Sequence, residues 1–488
     1  MKISRHLFLS TLFCPSYGWL SYHRKRERER DSVDQFKIQQ EMEIVELARS
    51  FFPEGILIKE ASMEAAAERT RELMESPDVT CLFEAVFLND GFETRADILV
   101  KEGESWTLIE VKSGIRDKAT YIADIAYTSM VMKMCGYMME HYKLCLLSRD
   151  YHPGLEMKEM FHFVDHSKEV KLRTEEYRKI VPSVLSLLRD RIKPETSFKA
   201  ICKNCDYFHN CFDFDKLEHI ISLPFISHKY YQRLQEQGIS RIVDIPDSHA
   251  LTAHQTLMKK SLSLKVTVIS ENLPKLLETV QWPASYLDFE TTMTAIPLFP
   301  ETCPYQQIVT QYSLHICNAP GELTEHREYL AETDRDYRKD LAENLIRDIS
   351  KEGSIIVYSG FEASTIKKLA SLYPDLSTDL KKLIPRLVDL EKIIKNGIYH
   401  PAFQGRSSIK KTLPALVPEM NYEDLAIGNG SAALTAFARM VRGDIPAEDI
   451  PKLRKDLLDY CKQDTLAMVK LHEALILIIK EQENEKRT

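Results

Sequence analysis

Residues 94–112 read TRADILVKEGESWTLIEVK, a pattern that predicts two β-strands and the turn between them. The strand-like runs are Thr94–Val100 and Trp106–Val111, and the charged, glycine-containing segment KEGES joins them. Further strand-like and helical runs alternate along the rest of the chain. This alternation indicates an α/β fold in which the hairpin belongs to a sheet.

Three charged residues of this hairpin, Asp97, Glu110 and Lys112, are predicted to lie close together. Glu110 and Lys112 are two positions apart on one strand, so both side chains leave the same face. Apolar neighbours such as Ile98 and Ile109 occupy the opposite face. Two carboxylates suit a hard divalent cation, and phosphodiester hydrolysis at neutral pH usually needs such a cation. A solvated strand face carries the same residue types, so both interpretations are open at this point.

Four cysteines enclose the hairpin in the sequence. Cys14 lies near the start of the chain, and Cys202, Cys205 and Cys211 form a C-x2-C-x5-C run much later. Four thiolates are enough to close a metal site and to fasten the first residues to the end of a domain. By ligand count they suit a zinc ion and an iron–sulfur cluster equally well. The other cysteines lie in apolar contexts and are predicted to be buried.

The length and composition indicate an ordinary soluble protein of two or three domains. The chain has 488 residues, of which 44% are hydrophobic and 28% are charged. Its formal net charge of −8 argues against a protein that grips duplex nucleic acid over its whole surface. Local basic strips are compatible with that charge, and one of them lies within residues 23–30.

Sequence features that bear on cellular location point to the reducing cytoplasm. No apolar run is long enough to span a bilayer, and no small-residue cleavage site follows the short apolar run near the N-terminus. Ten unevenly spaced cysteines do not resemble the disulfide framework of a secreted protein. We therefore expect a cytoplasmic protein that does not interact with membranes.

The order of helices, strands and turns predicts three parts. Residues 1–215 form a first α/β domain, which begins with a helix over residues 1–30 and ends with the cysteine run. Residues 216–280 form a helical connector with a turn at Gly238. A helix-hairpin-helix-like element and a plain helical linker both fit this connector. Residues 281–488 form a second α/β domain.

The second domain contains another set of acidic residues. Asp288 and Glu290 are two apart in the run YLDFET, so both carboxylates leave one face of a strand. Glu362 follows another apolar strand, where a helix begins. Tyr460 and Asp464 are four residues apart in a late helix and therefore share a face. Each pattern alone is common, and their order along the chain is the informative feature.

The first domain resembles the PD-(D/E)XK nucleases, and more closely the RecB-like branch that includes the CRISPR-associated iron–sulfur exonucleases. Asp97, Glu110 and Lys112 match the catalytic motif, and the resemblance implies that Asp97 and Glu110 bind the metal. Cys14 and the late cysteine run match the positions that hold a 4Fe-4S cluster in that branch, with Zn²⁺ as the alternative. Such a group would have a structural role.

Two supporting positions of the first domain depart from the family pattern. Val45 stands where the family has a histidine in an early helix. Thr128 stands where a glutamine is common in the helix after the E-x-K strand. The three central residues are present and the supporting residues are altered.

The second domain resembles the DEDD exonucleases of the RNase H-like superfamily, in the subclass that carries a tyrosine. This resemblance implies two divalent metal ions, held by the catalytic acids Asp288, Glu290, Glu362 and Asp464. Tyr460 would orient the attacking water. Glu362 stands where the family usually has aspartate.

A basic segment precedes the last of these motifs. Residues 405–414, GRSSIKKTLP, look like the S-L-K stretch of the same family. Arg406 and Lys410 would then meet substrate phosphates. An exposed basic loop accounts for these two residues equally well.

Nearly the whole chain resembles a bacterial family that fuses a RecB-like nuclease to a DEDD-type exonuclease, and that resemblance specifies no biological role. The segments that carry it are Glu84-Ala85, Phe289-Glu290, Pro304–Gln307, Arg386–Leu390 and Tyr460-Cys461.

The resemblance implies a metal-dependent nuclease that hydrolyses phosphodiester bonds of DNA or RNA with Mg²⁺ or Mn²⁺. We expect 3′–5′ exonuclease activity on single strands or ends. The alternative is a nucleic-acid-binding protein whose first site is inactive, so that only the second domain, or neither domain, is catalytic. The sequence identifies no protein partner.

Overall fold

The computed structural model of the protein describes residues 2–24 and 30–487. It is an α/β structure with one six-stranded and one five-stranded mixed sheet. Part of the basic strip noted in the sequence, residues 25–29, lies outside the described residues. None of the helices within the described ranges has both the length and the apolar character needed to cross a bilayer.

The chain divides into two compact units. The first comprises Met1–Phe212 together with Thr294–Gln306. The second comprises Asp213–Met293 together with Gln307–Thr488. The segment predicted as a connector, residues 216–280, falls within the second unit.

The first unit is built on a sheet whose strands are adjacent in the order in which they occur in the sequence. They are β1 (Ile56–Leu57), β2 (Cys81–Asn89), β3 (Phe92–Glu102), β4 (Ser105–Val111), β5 (His141–Leu147) and β6 (Phe161–Asp165). β2, β3 and β4 form an antiparallel meander, and β5 pairs with β4 in parallel. A parallel pair needs a crossover connection, which the helix Ala119–Met134 provides.

The predicted hairpin is confirmed as β3 and β4. The two strands pair from Ile98 with Ile109 to Glu102 with Ser105. Gly103 lies in the turn at φ +67°, a conformation that glycine adopts without steric cost. The pairing stops at Ile98, just before Asp97, and the site described below begins there.

The described helices of the first unit are α1 (Arg5–Phe13), α2 (Pro15–His23), α3 (Ser32–Arg49), α4 (Met63–Glu75), α5 (Ala119–Met134), α6 (Ser167–Arg189) and α7 (Phe208–Cys211). The prediction of a single helix over residues 1–30 is wrong, because the helix is interrupted at Cys14 and two helices, α1 and α2, are formed. A residue before proline is driven towards extended conformations, and Cys14 precedes Pro15. Its backbone is accordingly extended, with φ −149° and ψ 108°.

Apolar side chains cover both faces of this sheet. Leu108 on one face packs in a core cluster with Ile125 of α5, and Ile109 on the other face packs in a cluster with Ile44 of α3. Glu110, on the same strand as Leu108 and Ile109, is only 2% exposed. The interpretation of the charged residues as a solvated strand face is therefore wrong for Glu110.

The second unit is built on a sheet with the strand order β10-β9-β8-β11-β12. The strands of this unit are β7 (Val268–Ile269), β8 (Ala284–Thr292), β9 (Ile308–Ala319), β10 (Glu322–Leu330), β11 (Ile355–Val357), β12 (Leu387–Asp389) and β13 (Ile398–Tyr399). β9 is antiparallel to β8 and β10, whereas β11 and β12 run parallel to β8. β7 and β13 form a separate antiparallel pair.

The described helices of the second unit are α8 (His228–Glu236), α9 (Ala253–Leu264), α10 (Leu273–Leu277), α11 (Arg338–Asp348), α12 (Phe361–Leu372), α13 (Ser377–Leu383), α14 (Leu390–Gly397), α15 (Ile409–Leu416), α16 (Gly430–Arg442) and α17 (Ile450–Arg487). α8 and α9 are the two helices expected on either side of Gly238, which has φ +73°. Residues 237–252 separate them, so they are not joined by a short hairpin turn.

The central strand β8 separates apolar from acidic side chains. Leu287 and Phe289 belong to a buried core cluster with residues of β9, α11 and α12. Because side chains alternate along a strand, Asp288 and Glu290 leave the opposite face. α16 and α17 pack against β8 as well, and α17 supplies the next acidic side chain of the site.

Candidate metal centres

Three carboxylates of the second unit meet at one point. Asp288, Glu290 and Asp464 each offer one oxygen, and these oxygens all lie within 4.8 Å of one another. In the part of the chain that the structure describes, this is the one group of three or more acidic, histidine or cysteine side chains that meets so closely. A divalent cation bound at about 2.0–2.6 Å from carboxylate oxygens can contact such a group.

Sheet and helix contacts hold the third carboxylate in place. Thr465, next to Asp464 on α17, is fully buried. Its hydroxyl lies 2.8 Å from Ser313 Oγ and 2.8 Å from His315 Nδ1, and both of these residues belong to β9. These hydrogen bonds fix one turn of α17 on the sheet and thereby set the depth of Asp464.

The structure also brings Glu362 and Tyr460 to this group. Each of the two side chains is 3% exposed. Glu362 lies in the first turn of α12, and Tyr460 precedes Asp464 by one helical turn on α17. All five predicted residues of this site line one cavity of about 260 Å³.

Burial and mutual repulsion raise the pKa values of these carboxyl groups. Burial raises the pKa of Asp288 well above its ordinary value, with Asp464, Glu290 and Glu362 adding to the shift. Burial raises the pKa of Glu290 to about 8, that of Glu362 to about 7 and that of Asp464 to about 6. Four acidic groups therefore share a space in which their negative charges are poorly compensated.

One cation lines the same cavity among the described residues, Lys410 of α15. Its Nζ donates to the backbone oxygen of Gly428 at 2.6 Å. It lies 5.4 Å from the ring centroid of Tyr422 and 5.6 Å from that of Tyr460. Arg406, the other predicted basic residue, is not among the residues that line the cavity.

Tyr422 is a residue of this site that the sequence patterns do not indicate. Its hydroxyl donates to Asp464 Oδ1 at 2.6 Å. Tyr422 lies between α15 and α16 and has no regular spacing to any acidic motif. The nearest signal is a single tyrosine in the polar segment NYED, which is too common to be informative.

In the first unit, Asp97 occupies the point where β3 and β4 separate. The last paired residues are Ile98 and Ile109, and beyond them the backbone N–H of Val111 has no strand partner on β3. The carboxylate of Asp97 accepts that N–H at 2.8 Å. Asp97 therefore replaces a backbone acceptor and is held beside Glu110.

Glu110 and Lys112 belong to a closed ring of alternating charges. Glu110 Oε1 accepts from Arg5 at 2.6 Å and from Lys112 at 2.9 Å. Lys112 also donates to Asp124 Oδ2 at 2.8 Å, and Arg5 Nε lies 3.8 Å from Asp124 Oδ1. α1, β4 and α5 each contribute to this ring, which compensates the buried carboxylate.

This ring gives Asp97 and Glu110 opposite titration behaviour. Burial disfavours the charge on Glu110, but Lys112 and Arg5 hold its pKa below the ordinary value. Burial, followed by the repulsion of Glu110, raises the pKa of Asp97 to about 8. At neutral pH, Glu110 is therefore ionised and its charge is compensated by Lys112 and Arg5. Asp97 is favoured in its neutral form.

The same pocket, about 570 Å³ in volume, contains further charged residues. Glu46 and Glu84 line it, and so do Arg49 and Arg95, which both pair with Glu84. Val45, at the expected histidine position, lines it too.

Thr128, at the expected glutamine position, is not part of this pocket. It is buried and lies 2.9 Å from the hydroxyl of Thr94. The polar residue of α5 that reaches the charge ring is Asp124, four positions earlier on the same helix face. The sequence does not indicate Arg5 as a partner, because 105 positions separate it from Glu110.

Three of the four predicted cysteines line one cavity of the first unit. Cys14 is the C-cap of α1, and it lines a cavity of about 740 Å³ together with Cys202 and Cys205. Burial raises the pKa of Cys205 and of Cys211, and in each case the thiols of the other cysteines of the quartet add to the shift. None of the four forms a disulfide.

Within the ranges that the structure describes, the four thiols are not brought together as closely as a bound zinc ion would hold them. Tetrahedral Zn²⁺ with bonds of about 2.3 Å places its sulfurs about 3.8 Å apart. Among the described residues, no three cysteine sulfurs lie within 4.8 Å of one another.

Residues 285–408 match DUF2779, a domain of unknown function. The matched range contains Asp288, Glu290 and Glu362, and it ends before Tyr460 and Asp464. It therefore covers β8 to β13 and stops before the helix that completes the acidic group.

The chain is also distantly similar to proteins of Ureaplasma and Mycoplasma. The uncharacterized protein UU173 of Ureaplasma parvum serovar 3 is 21% identical over 85% of this chain and 80% of its own length. The uncharacterized protein MG366 of Mycoplasma genitalium is 24% identical over 38% of this chain and 31% of its own length. The homolog of MG366 in Mycoplasma pneumoniae is 24% identical over 40% of this chain and 32% of its own length. None of these names states an activity.

Proposed function

We propose that the protein is a metal-dependent nuclease that hydrolyses phosphodiester bonds of DNA or RNA, with the second unit as a 3′–5′ exonuclease on single strands or ends. The observation that carries this proposal is the meeting of Asp288, Glu290 and Asp464 within 4.8 Å in a buried cavity. Three carboxylates this close repel one another, and a bound cation would offset that repulsion.

The donor set fits Mg²⁺ or Mn²⁺, which prefer carboxylate oxygens. Asp288, Glu290 and Asp464 would hold the cations, with Glu362 as a further ligand. Glu362 Oε2 is buried and has no hydrogen-bond partner in the structure, so a cation would satisfy an atom that is otherwise costly to bury. Bound divalent cations supply a nucleophilic water at neutral pH and offset the charge that develops on the phosphate.

The protein's own residues would orient the water and the substrate. Burial, reinforced by the neighbouring acids, raises the pKa of Tyr460, so the phenol keeps its proton and can donate a hydrogen bond. The ammonium group of Lys410 lines the cavity and is placed to contact a phosphate group.

The architecture of the second unit supports a DEDD-type, RNase H-like assignment. β8, which carries two of the acids, is the central strand of the sheet, and a late helix carries the last acid and the tyrosine. In the first unit, a RecB-like PD-(D/E)XK assignment is supported by Asp97 and Glu110 at the fork of β3 and β4.

For the first unit we propose a structural 4Fe-4S cluster on Cys14, Cys202, Cys205 and Cys211, with Zn²⁺ as the alternative. Cys14, Cys202 and Cys205 line one cavity, and neighbouring thiols add to the raised pKa of Cys205 and of Cys211, which supports a shared group. The colour of the anaerobically purified protein distinguishes the two. A brown protein contains iron and sulfide, whereas a zinc protein is colourless.

A second candidate function is a nuclease whose first unit only binds nucleic acid. The charge ring favours it, because Glu110 is already neutralised by Arg5 and Lys112. A pocket that is compensated internally attracts a divalent cation less strongly than the second site, where one lysine faces four acids.

Hydrolysis of end-labelled strands tests the proposal. Single- and double-stranded DNA and RNA, labelled at either end, are incubated with the protein and Mn²⁺, and the product ladder is recorded. We expect shortening from the 3′ end that is lost in Asp288→Asn and Asp464→Asn. Asp334→Asn, which changes an exposed acid of the same unit, is the matched control. Absence of any product, or equal activity of all three variants, would overturn the proposal.

The same assay with first-unit variants separates the two candidate functions. Asp97→Asn and Glu110→Gln are compared with the unchanged protein on each substrate. If only the second-unit variants lose activity, the first unit does not hydrolyse the substrate. If the first-unit variants lack one class of product and the second-unit variants lack another, of different length or polarity, both units are nucleases.

A further inference from the structure

We infer that Tyr422 is a positioning residue of the second site, which holds Asp464 in the orientation that metal binding requires. The inference rests on the proposed function of that site. Tyr422 donates to Asp464 Oδ1 at 2.6 Å, the length of a strong hydrogen bond from a hydroxyl to a carboxylate. Its oxygen therefore occupies one side of a carboxylate whose neighbours are other acids.

The hydrogen bond from Tyr422 opposes the electrostatic repulsion between the carboxylates of the cavity. Asp288 and Glu290 repel Asp464, and that repulsion would rotate or displace its carboxylate when no cation is bound. A donor on Oδ1 anchors the group against this repulsion. In metal sites, partners that hydrogen-bond the ligands orient them in this way, and their removal typically weakens metal affinity by about 10–100-fold.

The segment that carries Tyr422 is held by contacts with α15 and α17. Gln463 of α17 donates to the backbone oxygen of Asn421 at 2.9 Å. Lys410 of α15 lies over the Tyr422 ring and donates to Gly428 at 2.6 Å. The segment between α15 and α16 is thus tied at both ends of the stretch that carries the tyrosine.

Tyr422 and Tyr460 lie on different segments of the chain, and we expect them to have different roles. Tyr460 is one helical turn before Asp464 on α17, and the proposed function gives it the attacking water. Tyr422 comes from a separate segment, and its hydroxyl acts through Asp464. Loss of the Tyr422 hydroxyl should therefore weaken metal binding, and loss of the Tyr460 hydroxyl should mainly slow hydrolysis.

The test is the Mn²⁺ affinity of the full-length variants Tyr422→Phe, Tyr460→Phe and Tyr312→Phe, measured by electron paramagnetic resonance of free Mn²⁺. Tyr312 is the matched control, because it donates to Asp348 Oδ2 at the same 2.6 Å and belongs to the apolar core on the other face of the sheet. The Asp288→Asn variant measures how much Mn²⁺ the protein binds outside this site, and that amount is subtracted from the amount bound by each of the other variants.

We expect Tyr422→Phe to weaken Mn²⁺ binding by about tenfold or more, with little change in the other two variants. Raising the Mn²⁺ concentration should restore hydrolysis by Tyr422→Phe but not by Tyr460→Phe. Unchanged affinity in Tyr422→Phe, or equal losses in Tyr422→Phe and Tyr312→Phe, would overturn the inference and leave the proposed function intact. If the unchanged protein binds no more Mn²⁺ than Asp288→Asn, the proposed metal site itself fails.

Discussion

Asp288 is the carboxyl group on which the opposing demands of stability and function are greatest. It is surrounded by Asp464, Glu290 and Glu362, and burial together with these neighbours raises its pKa well above the ordinary value. A carboxyl group in this position disfavours the folded state whenever it is ionised and no cation is present. The arrangement is useful only if a cation offsets it, as the proposed function requires.

The first prediction follows from the sign of these shifts. In the unfolded chain the carboxyl groups ionise near pH 4, whereas folding raises the pKa of Glu290 to about 8 and of Glu362 to about 7. At these two groups the folded state then binds more protons than the unfolded state within that window. Their contribution to the stability of the metal-free protein therefore falls as the pH rises from about 4 to about 8.

Asp288→Asn removes one of the interacting charges. In EDTA at pH 8 we expect the free energy of unfolding of this variant to exceed that of the unchanged protein by at least about 1.4 kcal/mol, which corresponds to one pKa unit, and its unfolding temperature to be higher accordingly. At pH 5 the difference should shrink. Thermal unfolding at both pH values measures it, with Asp334→Asn as the control for loss of an exposed acid. A variant that is less stable at pH 8 would contradict this account.

The residues that carry the proposed chemistry differ in how far the sequence predicts them. Asp288, Glu290 and Tyr460 follow from spacing within a single strand or helix, and the structure does place them in one cavity. Tyr422 and Arg5 do not follow from it. Their acidic partners lie on other elements, and the periodicity of one element indicates which face a residue occupies but not what packs against that face.

At the scale of elements, α1 links the first acidic pocket to the cysteine quartet. The helix begins after Ser4, whose side chain accepts from the N–H of Leu7, and it ends at Cys14. Arg5 in its first turn donates to Glu110. One helix of nine residues therefore has a charge-ring residue at one end and a cysteine of the quartet at the other.

A second prediction concerns this helix. Arg5 competes with any divalent cation for Glu110, since both are positive and approach the same carboxylate. In an Asp288→Asn background, which removes the second site, Arg5→Gln should raise the Mn²⁺ affinity of the first pocket severalfold. Calorimetric titration measures the change. Arg95→Gln is the matched control, because Arg95 lines the same pocket but pairs with Glu84. Weaker Mn²⁺ binding in Arg5→Gln would show that the guanidinium helps to form the site.

A third prediction concerns the attachment of α17 to β9. Thr465→Val keeps the shape of the side chain but removes the hydroxyl that lies 2.8 Å from Ser313 Oγ and from His315 Nδ1. Ser313 keeps a partner in His326 at 3.0 Å, but His315 loses the hydroxyl. A buried polar group left without a hydrogen bond costs about 1–3 kcal/mol, so the free energy of unfolding should fall by that amount. Urea denaturation measures it. Thr324→Val, which removes one part-buried hydrogen bond to a backbone oxygen, should cost less.

The elements themselves are predicted from sequence to different degrees. The hairpin of β3 and β4 is found where the alternation and the glycine-containing turn indicate it. The break between α1 and α2 is missed because apolar residues continue across it, although Pro15 is a local signal for it. The order β10-β9-β8-β11-β12 depends on contacts between distant segments, which alternation within one strand does not encode.

At the scale of the whole molecule, the predicted cysteine ligands lie near both ends of the longer segment of the first unit, Met1–Phe212. Cys14 belongs to the first turns of the chain, and Cys205 and Cys211 belong to the last part of that unit before Phe212. A group bound by all four thiols would join segments that are distant in sequence. Because its binding free energy is also folding free energy, the loss of one ligand should act on the whole first unit.

The fourth prediction is that Cys14→Ser removes the bound group and destabilises the first unit by at least a few kcal/mol, while the 3′–5′ exonuclease activity of the second unit persists. Three readouts on the anaerobically purified full-length protein measure this: the iron and zinc content, the first thermal unfolding transition, and hydrolysis of an end-labelled single strand. Cys303→Ser is the matched control, since Cys303 lies in the segment Thr294–Gln306 of the same unit and has no part in the quartet. Equal metal content in the two variants would exclude Cys14 as a ligand. Loss of exonuclease activity in Cys14→Ser alone would place that activity under the control of the first unit, because Asp288, Glu290 and Asp464 all belong to the second.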